Sequence, residues 1–538
     1  MRATGAGKRL LGAIVLAFVS MGAFGQAEFQ LLVHPKASAL GNAVTADPPG
    51  IMALRRNPAG LSRLEGRQWE FGLVAARTVF EAEFSVPDEG CDIFGMECAE
   101  HDPAANSKSR ATRGALFVPG VGLVKLPKEA PFDGAPTHAG FSVQPPGSKL
   151  TFGNGAWMEV YAGFSKDDDD PGRYQIKDVA LQRFTYFAPT VAYQVNDNWS
   201  IGAGINFSHH AFGATQDLRT PNMLVGVGAT LQDAFGCDEE KNEPLAPWLA
   251  LCGGKIGPWQ DIGVLELEVE ETLSPSYRFG VLWEPTDWFT WGAQYSSGDD
   301  MSLSGELGID YTEDWSGFWQ SVNSSVLGAI GSAILSLPSG IPKEQANISL
   351  QETHPQHFST GISARVLPWL TINTDVDYVD MNSQEFIDIK FDRELEFLNA
   401  ARILAPEQVT PTSLRLERNK KDVWSLGYGA EFHVSSRLDL RAGVQHRNNA
   451  IRKGGENLSG PLWDANLYGV GLGYEWSQNT HIDMHASWLK SSKKIPADSS
   501  CSINCDNITN IVDNPYAGLD VYAETHAQLL GISVRSRF

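Results

Sequence analysis

Alternation of apolar and polar residues limits the possible folds of this chain more than any other feature. In the run 199–208, the odd positions are Trp, Ile, Ala, Ile and Phe, and the even positions are Ser, Gly, Gly, Asn and Ser. The runs 424–434 and 468–476 repeat this pattern, with aromatic residues towards the ends of the apolar face. A period of two indicates β-strands. An apolar outer face with a small or polar inner face is typical of a membrane β-barrel, whereas a soluble β-sandwich turns its apolar face inward.

The lengths of the connections distinguish these two folds. Fourteen candidate strands begin near residues 69, 114, 139, 175, 199, 275, 288, 348, 370, 423, 438, 467, 481 and 526. Short and long connections alternate between them, and the long ones are 87–112, 147–174, 214–273, 298–347, 383–421, 446–466 and 490–524. Short periplasmic turns with long external loops are typical of outer-membrane barrels. The sequence therefore predicts an all-β fold, a 14-stranded antiparallel transmembrane β-barrel over residues 67–538.

Composition excludes several other classes of protein. Lys and Arg total 42 against 64 Asp and Glu, and a net charge of −22 disfavours binding to nucleic-acid phosphates. The chain has no apolar run of eighteen residues beyond its N-terminus, which argues against a bundle of membrane-spanning helices. It also has no GxSxG, HExxH or P-loop motif. We therefore expect no enzyme activity, no catalytic residues, no cofactor and no bound metal.

Residues 1–25 have the organisation of a secretory signal peptide. Arg2, Lys8 and Arg9 precede an apolar stretch, and small residues follow it. We expect export by the Sec pathway with cleavage after residue 25 or 27; an uncleaved N-terminal anchor is the alternative. In an oxidising compartment, the six cysteines are expected to form three local disulfides. The predicted pairs are Cys91–Cys98, Cys237–Cys252 and Cys501–Cys505.

Residues 26–66 do not alternate, and they precede the first strand of a barrel too wide for its wall side chains to fill. We expect this segment to form a plug inside the barrel. Its Ala-Ser-Ala-Leu-Gly run at 37–41 and its motif Asn57, Pro58, Ala59 resemble the N-terminal hatch of the FadL family. That family comprises outer-membrane transporters of long-chain fatty acids, toluene and related hydrophobic compounds. The segments 187–193 and 277–285 extend the resemblance over essentially the whole mature chain.

The resemblance implies passive transport of a hydrophobic ligand from an external apolar groove, through a pocket behind the hatch, to a lateral exit in the barrel wall. On the hatch side of the pocket we expect Phe29, Leu31, Leu32, Val33, Arg55 and Arg56. The two arginines, with Lys36, would pair either with a ligand carboxylate or with acids of the wall, because a buried charge needs a partner.

The external groove is predicted from an apolar stripe at helical spacing that ends at Pro338, with a second loop as the opposing wall. Its predicted residues are Trp315, Phe318, Trp319, Val322, Val326, Ile330, Ile334, Trp248 and Leu249. A helix that merely packs across the barrel mouth is the alternative. For the lateral exit we expect Pro145, Pro146 and Gly147 in the third strand, because proline cannot donate to a sheet ladder. Alternatively, these residues simply end that strand.

The predicted location is the outer membrane of a Gram-negative bacterium. The expected partners are outer-membrane lipid and lipopolysaccharide, a hydrophobic small molecule, and the barrel assembly machinery during biogenesis. The last strand, which alternates and ends at Phe538, resembles the recognition sequence of that machinery. We expect a monomer. A plug argues against a general polar porin. A barrel scaffold, adhesin or secretion-system partner that acts through its external loops remains the alternative.

Overall fold

The computed structural model describes residues 34–87, 98–128, 133–220, 222–237, 247–335, 337–398, 409–460, 462–505 and 514–538. The helices are α1 (Pro35–Ala39), α2 (Ala53–Arg56), α3 (Asn222–Ala234), α4 (Glu313–Ser324) and α5 (Val326–Leu335). Short 3₁₀ helices cover Pro58–Arg63, Ala99–His101, Pro171–Tyr174 and Met381–Ser383. None of the described helices has the length and hydropathy needed to span a membrane.

The remaining elements are antiparallel strands. In the first half of the chain they are β1 (Arg67–Ser85), β2 (Lys108–Arg110), β3 (Ala115–Val118), β4 (Gly122–Lys125), β5 (Asp133–Val143), β6 (Leu150–Ser165), β7 (Asp178–Phe187), β8 (Thr190–Gln194), β9 (Trp199–Arg219) and β10 (Asp261–Thr286). In the second half they are β11 (Phe289–Ser296), β12 (Asp299–Tyr311), β13 (Lys343–His354), β14 (His357–Leu367), β15 (Leu370–Val379), β16 (Phe386–Phe391), β17 (Val409–Thr410), β18 (Ser413–Glu417), β19 (Val423–Ser435), β20 (Leu438–Arg447), β21 (Ala465–Ser477), β22 (Thr480–Ile495) and β23 (Asp520–Arg537).

These strands form a closed 14-stranded antiparallel barrel, as predicted. The barrel closes where β1 pairs with β23 along its whole length, from Gln68 opposite Arg537 to Ser85 opposite Asp520. Five wall strands are built from two segments each, and these pairs are β7 with β8, β11 with β12, β13 with β14, β15 with β16, and β18 with β19. We call the end with the short turns the periplasmic end and the other the external end.

The alternation of the sequence matches the two faces of the wall. Along β9, Trp199, Ile201 and Ile205 are exposed on the outer surface, where lipid would lie, and Ser200 and Asn206 between them are buried on the inner face. The N-terminal segment occupies the interior. Its backbone lies so close to Gly292 of β11 and Gly443 of β20 that a Cβ atom at either glycine would overlap it. The predicted plug inside the barrel is therefore confirmed.

Two strand assignments made from the sequence are wrong. The segment near Gly114 is not a wall strand, because it leads into the hairpin of β3 and β4, which packs on the outer surface of β7 and β9. The third wall strand is instead β6, which lies inside the predicted loop 147–174. Its alternation was missed because its inward positions are Gly153, Gly155 and Trp157, which contact the apolar side of the plug rather than a polar lumen.

The predicted long loops also contain the external ends of wall strands. Residues 214–219 belong to β9 and 261–273 to β10. The range 298–347 includes all of β12, and 490–495 complete β22. In this external half the inner face of the barrel is apolar. A buried cluster joins eight strands there, and it includes Phe212, Leu265, Leu267, Ile309, Leu350, Ile389 and Leu416. Leu395 and Leu398, which follow β16, pack into the same cluster.

Two of the predicted disulfides lie in described parts of the external connections. Cys237 and Cys252 are bonded with their Cα atoms 5.1 Å apart, and Cys501 and Cys505 are bonded with theirs 4.7 Å apart. Cys91 lies outside the described residues, so its pairing with Cys98 stays a prediction. The predicted signal peptide and the pocket residues Phe29, Leu31, Leu32 and Val33 also lie outside the described residues.

Candidate functional site

The motif Asn57, Pro58, Ala59 holds the plug together and seats it against the wall. The Asn57 side chain caps the 3₁₀ helix by accepting from the Ala59 amide at 3.2 Å. Its amide group also donates to the Thr45 carbonyl at 2.8 Å and to the Val281 carbonyl of β10 at 3.1 Å. A glycine at 280 is required here, because a Cβ atom at that position would lie 2.1 Å from Asn57 Oδ1.

Two inward-facing carboxyl groups bind backbone amides of the plug. Asp375 Oδ2 of β15 accepts from the amides of Val44 at 2.9 Å and Thr45 at 2.7 Å. Glu70 Oε2 of β1 accepts from the amide of Ile51 at 2.8 Å. All of these groups are buried. Sequence reasoning missed both acids, because many acidic residues occupy inward positions and the pattern does not indicate which of them face the plug.

Ion pairs join the periplasmic side of the plug to itself and to the wall. Lys36 Nζ lies 2.6 Å from Asp47 Oδ2, and Arg63 lies 3.4 Å from Asp47 Oδ1 and 2.9 Å from Glu284 Oε1 of β10. Burial opposes the ionisation of Asp47, but the positive charges of Lys36 and Arg63 hold the pKa of Asp47 at about 2. Asp47 therefore stays ionised at neutral pH. The positive charge of Lys36 is therefore paired with an acid of the protein itself.

The predicted pocket arginines also contact protein groups. Arg55 donates to the backbone carbonyls of Met158 at 3.3 Å and Glu159 at 3.1 Å in β6. Arg56 donates to the Asn42 carbonyl at 2.6 Å and lies 3.8 Å from both Asp375 and Asp377. The cavity beside both arginines is polar and measures about 50 Å³. Such a volume suits one or a few water molecules rather than an acyl chain.

The first described residue of the plug belongs to a buried cluster with the wall. His34 Nε2 lies 3.0 Å from Glu70 Oε1, and His138 Nε2 of β5 lies 3.2 Å from the same oxygen. These three groups are close enough to hold a metal ion. However, His34 Nδ1 accepts from the Lys36 amide at 3.0 Å, so in the neutral ring Nε2 carries the proton and donates to Ser533 Oγ. His34 in this tautomer ties the plug to the wall and does not act as a ligand.

The barrel wall is interrupted beside the plug. Strand β6 pairs with β8 from Leu150 to Gly153 and with β7 from Trp157 to Ser165, so residues 154–156 lack a ladder partner on that side. Opposite them, β7 ends at Phe187 and β8 begins at Thr190, with Pro189 in between. Pro189 has no amide to donate, which favours a break in a ladder. The Asn154 side chain bridges the break by accepting from the Ala188 amide at 2.7 Å.

The plug presents an apolar surface to this interruption. Leu54 and Leu61 of the plug form one buried cluster with Trp157 of β6 and with Ala188 and Ala192 on the far side of the break. Strand β6 comes close to the plug here, because a Cβ atom at Gly155 would lie 2.9 Å from Leu54 Cδ1. The described contacts at the break are thus one side-chain hydrogen bond, to Asn154, and the apolar packing of this cluster.

The residues predicted for the lateral exit lie elsewhere. The exposed periplasmic turn between β5 and β6 consists of Pro145, Pro146 and Gly147. A hydrogen bond of 3.0 Å from the Ser148 amide to the Pro145 carbonyl closes this turn. They end the second wall strand and do not interrupt the third. The sequence misplaced them because the segment near Gly114 was counted as a wall strand, which made β5 the third strand instead of the second.

The predicted groove helix is two helices rather than one. Ser325 is extended between α4 and α5, where its Oγ accepts from the Gly328 amide at 3.1 Å and so caps α5. The predicted stripe is divided accordingly. On α4, Phe318 and Val322 are buried against Ile256, with Trp315 and Trp319 packed around them. On α5, Val326, Ile330 and Ile334 are exposed by 42, 51 and 73%.

The exposed part of the stripe adjoins the second predicted loop. The amides of Val326 and Leu327 donate to the carbonyls of Pro247 and Trp248 at 3.0 Å each. Trp248 is 63% exposed, and Leu249 is half-buried. The structure thus brings Trp248 together with α5 in one apolar patch at the external end. We call it the external patch and define it by Trp248, Val326, Leu327, Ile330 and Ile334.

Comparison with known proteins identifies the family. The family model for outer membrane transport proteins of the OMPP1/FadL/TodX type matches residues 13–538. Outer membrane protein P1 of Haemophilus influenzae is 20% identical over 515 residues, which cover 93% of this chain and 91% of that protein. The long-chain fatty acid transport protein of Escherichia coli is 20% identical over 310 residues, 56% of this chain and 58% of that protein.

Solved structures agree on the fold. A FadL homologue of Pseudomonas aeruginosa superposes with a TM-score of 0.64 at 17% identity, over 94% of this chain and 98% of that one. The toluene transporter TbuX of Ralstonia pickettii gives 0.54 at 16% identity, with the same coverage of 94% and 98%. These matches and the barrel assign the protein to the outer membrane of a Gram-negative bacterium. The chain belongs to the OMPP1/FadL/TodX family of outer membrane transport proteins.

Proposed function

We propose that this protein moves long-chain fatty acids or hydrocarbons passively across the outer membrane and releases them sideways through the interruption between β6 and the β7/β8 strand. The observation that carries this proposal is the apolar contact of Leu54 and Leu61 with both sides of that interruption. A hydrophobic ligand behind the plug would meet lipid after only a short displacement of side chains. The plug itself carries the polar and charged contacts that oppose a straight path into the periplasm.

Entry is assigned to the external patch. Each methylene group that leaves water for an apolar surface contributes about 0.8 kcal/mol. A long chain therefore binds the external patch without a specific contact to its head group. From there the ligand passes the apolar inner face of the external half, which includes Phe212, Leu265 and Leu267. The polar cavity of about 50 Å³ beside Arg55 is too small to be its resting place.

The names of relatives support this class of ligand. One relative is named as a long-chain fatty acid transport protein, and one solved relative is named as a toluene transporter. Both ligands are hydrophobic, and both would partition into the same apolar route. Arg56 faces wall acids at 3.8 Å, so the described plug offers no reason to prefer a carboxylate over a neutral hydrocarbon.

The test of the exit is uptake of labelled oleate and toluene by proteoliposomes that contain wild-type protein or a wall variant. Ala156 faces the lipid side of the interruption, and Ala156→Trp fills it. Ala442→Trp is the matched control, since Ala442 faces lipid on β20, which is paired on both sides. We expect Ala156→Trp to lose most uptake and the control to keep it, with heat-modifiable gel mobility as the check of folding. Equal uptake by both variants would refute the lateral exit.

The test of entry compares two double variants of α5. Ile330→Asp with Ile334→Asp removes apolar surface from the external patch, whereas Ala329→Asp with Ala333→Asp adds the same charge at the same spacing to exposed positions of that helix. We expect only the isoleucine variant to reduce the initial rate of oleate uptake. Wild-type uptake no faster than in empty liposomes, for both ligands, would reject transport and favour a scaffold that acts through the external loops.

A further inference from the structure

The outer surface of β1 and β22 carries two exposed cations, Arg77 and Lys490. Arg77 lies opposite Gln528 of the intervening β23, and Lys490 lies opposite His526 two residues further out. At about 4.8 Å per strand and 3.3 Å per residue, their Cα atoms are about 12 Å apart. Neither forms an ion pair in the part of the chain that the structure describes.

Neighbouring charges on this face are paired. Lys108 pairs with Glu83, Arg110 with Glu81 at 3.2 Å, and Lys494 with Asp520 at 3.3 Å. His526 lies 3.3 Å from Glu524 of its own strand. The acids closest to the two cations are thus engaged by other groups. Arg77 and Lys490 are thus two cationic side chains without an ion-pair partner among the described residues, on a chain whose net charge is −22.

The height of these residues follows from the strand geometry. Trp69 marks the periplasmic aromatic belt, and Val79, which lies opposite His526, is ten residues further along β1. Ten residues span about 33 Å along a strand, and a tilt of about 40° reduces this to about 25 Å along the barrel axis. An apolar band of a bacterial barrel is about 25 Å tall. Lys490, opposite His526, therefore lies at the external boundary of that band, and the Cα atom of Arg77, eight residues from Trp69, lies about 5 Å inside it, within reach of the boundary for its long side chain.

The surface beside and below the two cations is suited to lipid. Trp488 lies opposite Gln528 and Tyr468 lies opposite Trp488, so the two aromatic rings form a row with Arg77. They are 45 and 52% exposed. Exposed apolar side chains continue the surface towards the periplasmic end, and they are Leu73, Leu530, Met484 and Val470. A lipid seated here would place its head group at the cations and its chains on this surface.

We propose that Arg77 and Lys490 bind the phosphate groups of a phosphorylated glycolipid of the outer leaflet, of the lipid A type. Two cations about 12 Å apart, both at the head-group level, suit a ligand with two phosphates on a rigid sugar backbone better than one small anion. Basic residues at a membrane surface attract anionic head groups through space, and the aromatic rings below them hold the interface. The site does not depend on the transport route.

The test is a titration of the delipidated full-length protein in detergent with diphosphoryl lipid A, monophosphoryl lipid A, phosphatidylglycerol and inorganic phosphate. The variant is Arg77→Gln with Lys490→Gln. The matched control is Lys343→Gln with Arg415→Gln, which removes two exposed cations that are paired with Asp310 and Asp388 on the other side of the barrel. We expect the Kd for diphosphoryl lipid A to rise about tenfold or more in the variant alone.

Each other outcome overturns the assignment. An unchanged Kd in the variant rejects the two cations as the site, and an equal loss in the control means that overall charge governs binding. Equal affinity for phosphatidylglycerol means a general anionic-lipid surface, and binding of inorganic phosphate at the same concentrations means a free-phosphate site. Heat-modifiable mobility of each variant confirms that the barrel is folded before the comparison is made.

Discussion

Replacing Asp375 by alanine removes the acceptor that holds two consecutive amides of the plug. Asp375 Oδ2 accepts from Val44 at 2.9 Å and from Thr45 at 2.7 Å, and all three residues are buried. A buried amide left without an acceptor costs about 1–3 kcal/mol, so the two cost about 2–6 kcal/mol in the closed arrangement. A displaced plug can hydrate these amides. At the lower bound of about 2 kcal/mol, the population with a displaced plug rises about 30-fold.

The assay is the conductance of the purified protein in planar bilayers, together with uptake of a polar fluorescent probe by proteoliposomes. Asp377→Ala is the matched control, because Asp377 lies two residues along β15 and is also 3.8 Å from Arg56. Asp377 Oδ1 accepts from Ser359 Oγ at 2.5 Å and makes no hydrogen bond to the described part of the plug. We expect Asp375→Ala to leak and Asp377→Ala to stay closed. Equal leakage of the two variants would mean that negative charge near Arg56, and not the binding of amides, holds the plug. If neither variant leaks, Asp375 does not hold the plug closed.

Two further predictions concern the same plug. Gly280→Ala should loosen the plug and raise the polar leak, because the alanine Cβ atom would lie 2.1 Å from Asn57 Oδ1. Gly308→Ala is the control and should not raise the leak, because a Cβ atom at position 308 meets no atom within 4 Å. Bilayer conductance tests both variants. Asp47→Asn should raise the leak at pH 7. Because the pKa of Asp47 is held at about 2, below its usual value near 3.9, the ion pair with Lys36 persists as pH falls to about 4 and is lost as it falls towards 2. The difference in leak between wild type and Asp47→Asn should therefore be constant from pH 7 to 4 and vanish near pH 2, and a difference that vanishes by pH 5 would contradict this assignment.

The sequence predicts the barrel because lipid imposes a strict pattern on the outer face. The runs 199–208 of β9 and 468–476 of β21 show it without exception, and the count of fourteen is correct. The pattern fails where the inner face does not meet water. In β6 the inward positions contact apolar plug residues, so Gly153, Gly155 and Trp157 give no polar alternation and the strand reads as a loop. Counting the segment near Gly114 as a wall strand placed the predicted exit on the turn after β5.

The candidate site could be predicted only where local sequence determines the contact. The Asn57 motif is readable, since Asn followed by Pro starts a turn or helix and the side chain caps it within two residues. The roles of the Glu70 and Asp375 carboxyl groups cannot be predicted from the sequence, because their partners are backbone amides, which nearly every residue has. The break at Pro189 is visible as a proline within a strand-like run, but its place beside Leu54 depends on how the plug folds back. Contacts between distant segments require the three-dimensional structure.

The direction of a strand's apolar face is the hardest feature to read, and β10 shows why. Its apolar residues occupy odd positions throughout, yet Leu265 and Leu267 are buried inside the barrel whereas Phe279 is 52% exposed on the outside. The pairing explains the change. Between Glu271 and Ser274, β10 advances three residues while β9 advances two, from His210 to Ser208, so one extra residue reverses the two faces. This bulge thereby gives β10 a lipid-facing apolar surface in its membrane-embedded half and an inward-facing apolar surface in its external half. Without the bulge, an unbroken strand would place glutamates 266, 268 and 270 on the inner face of the external half.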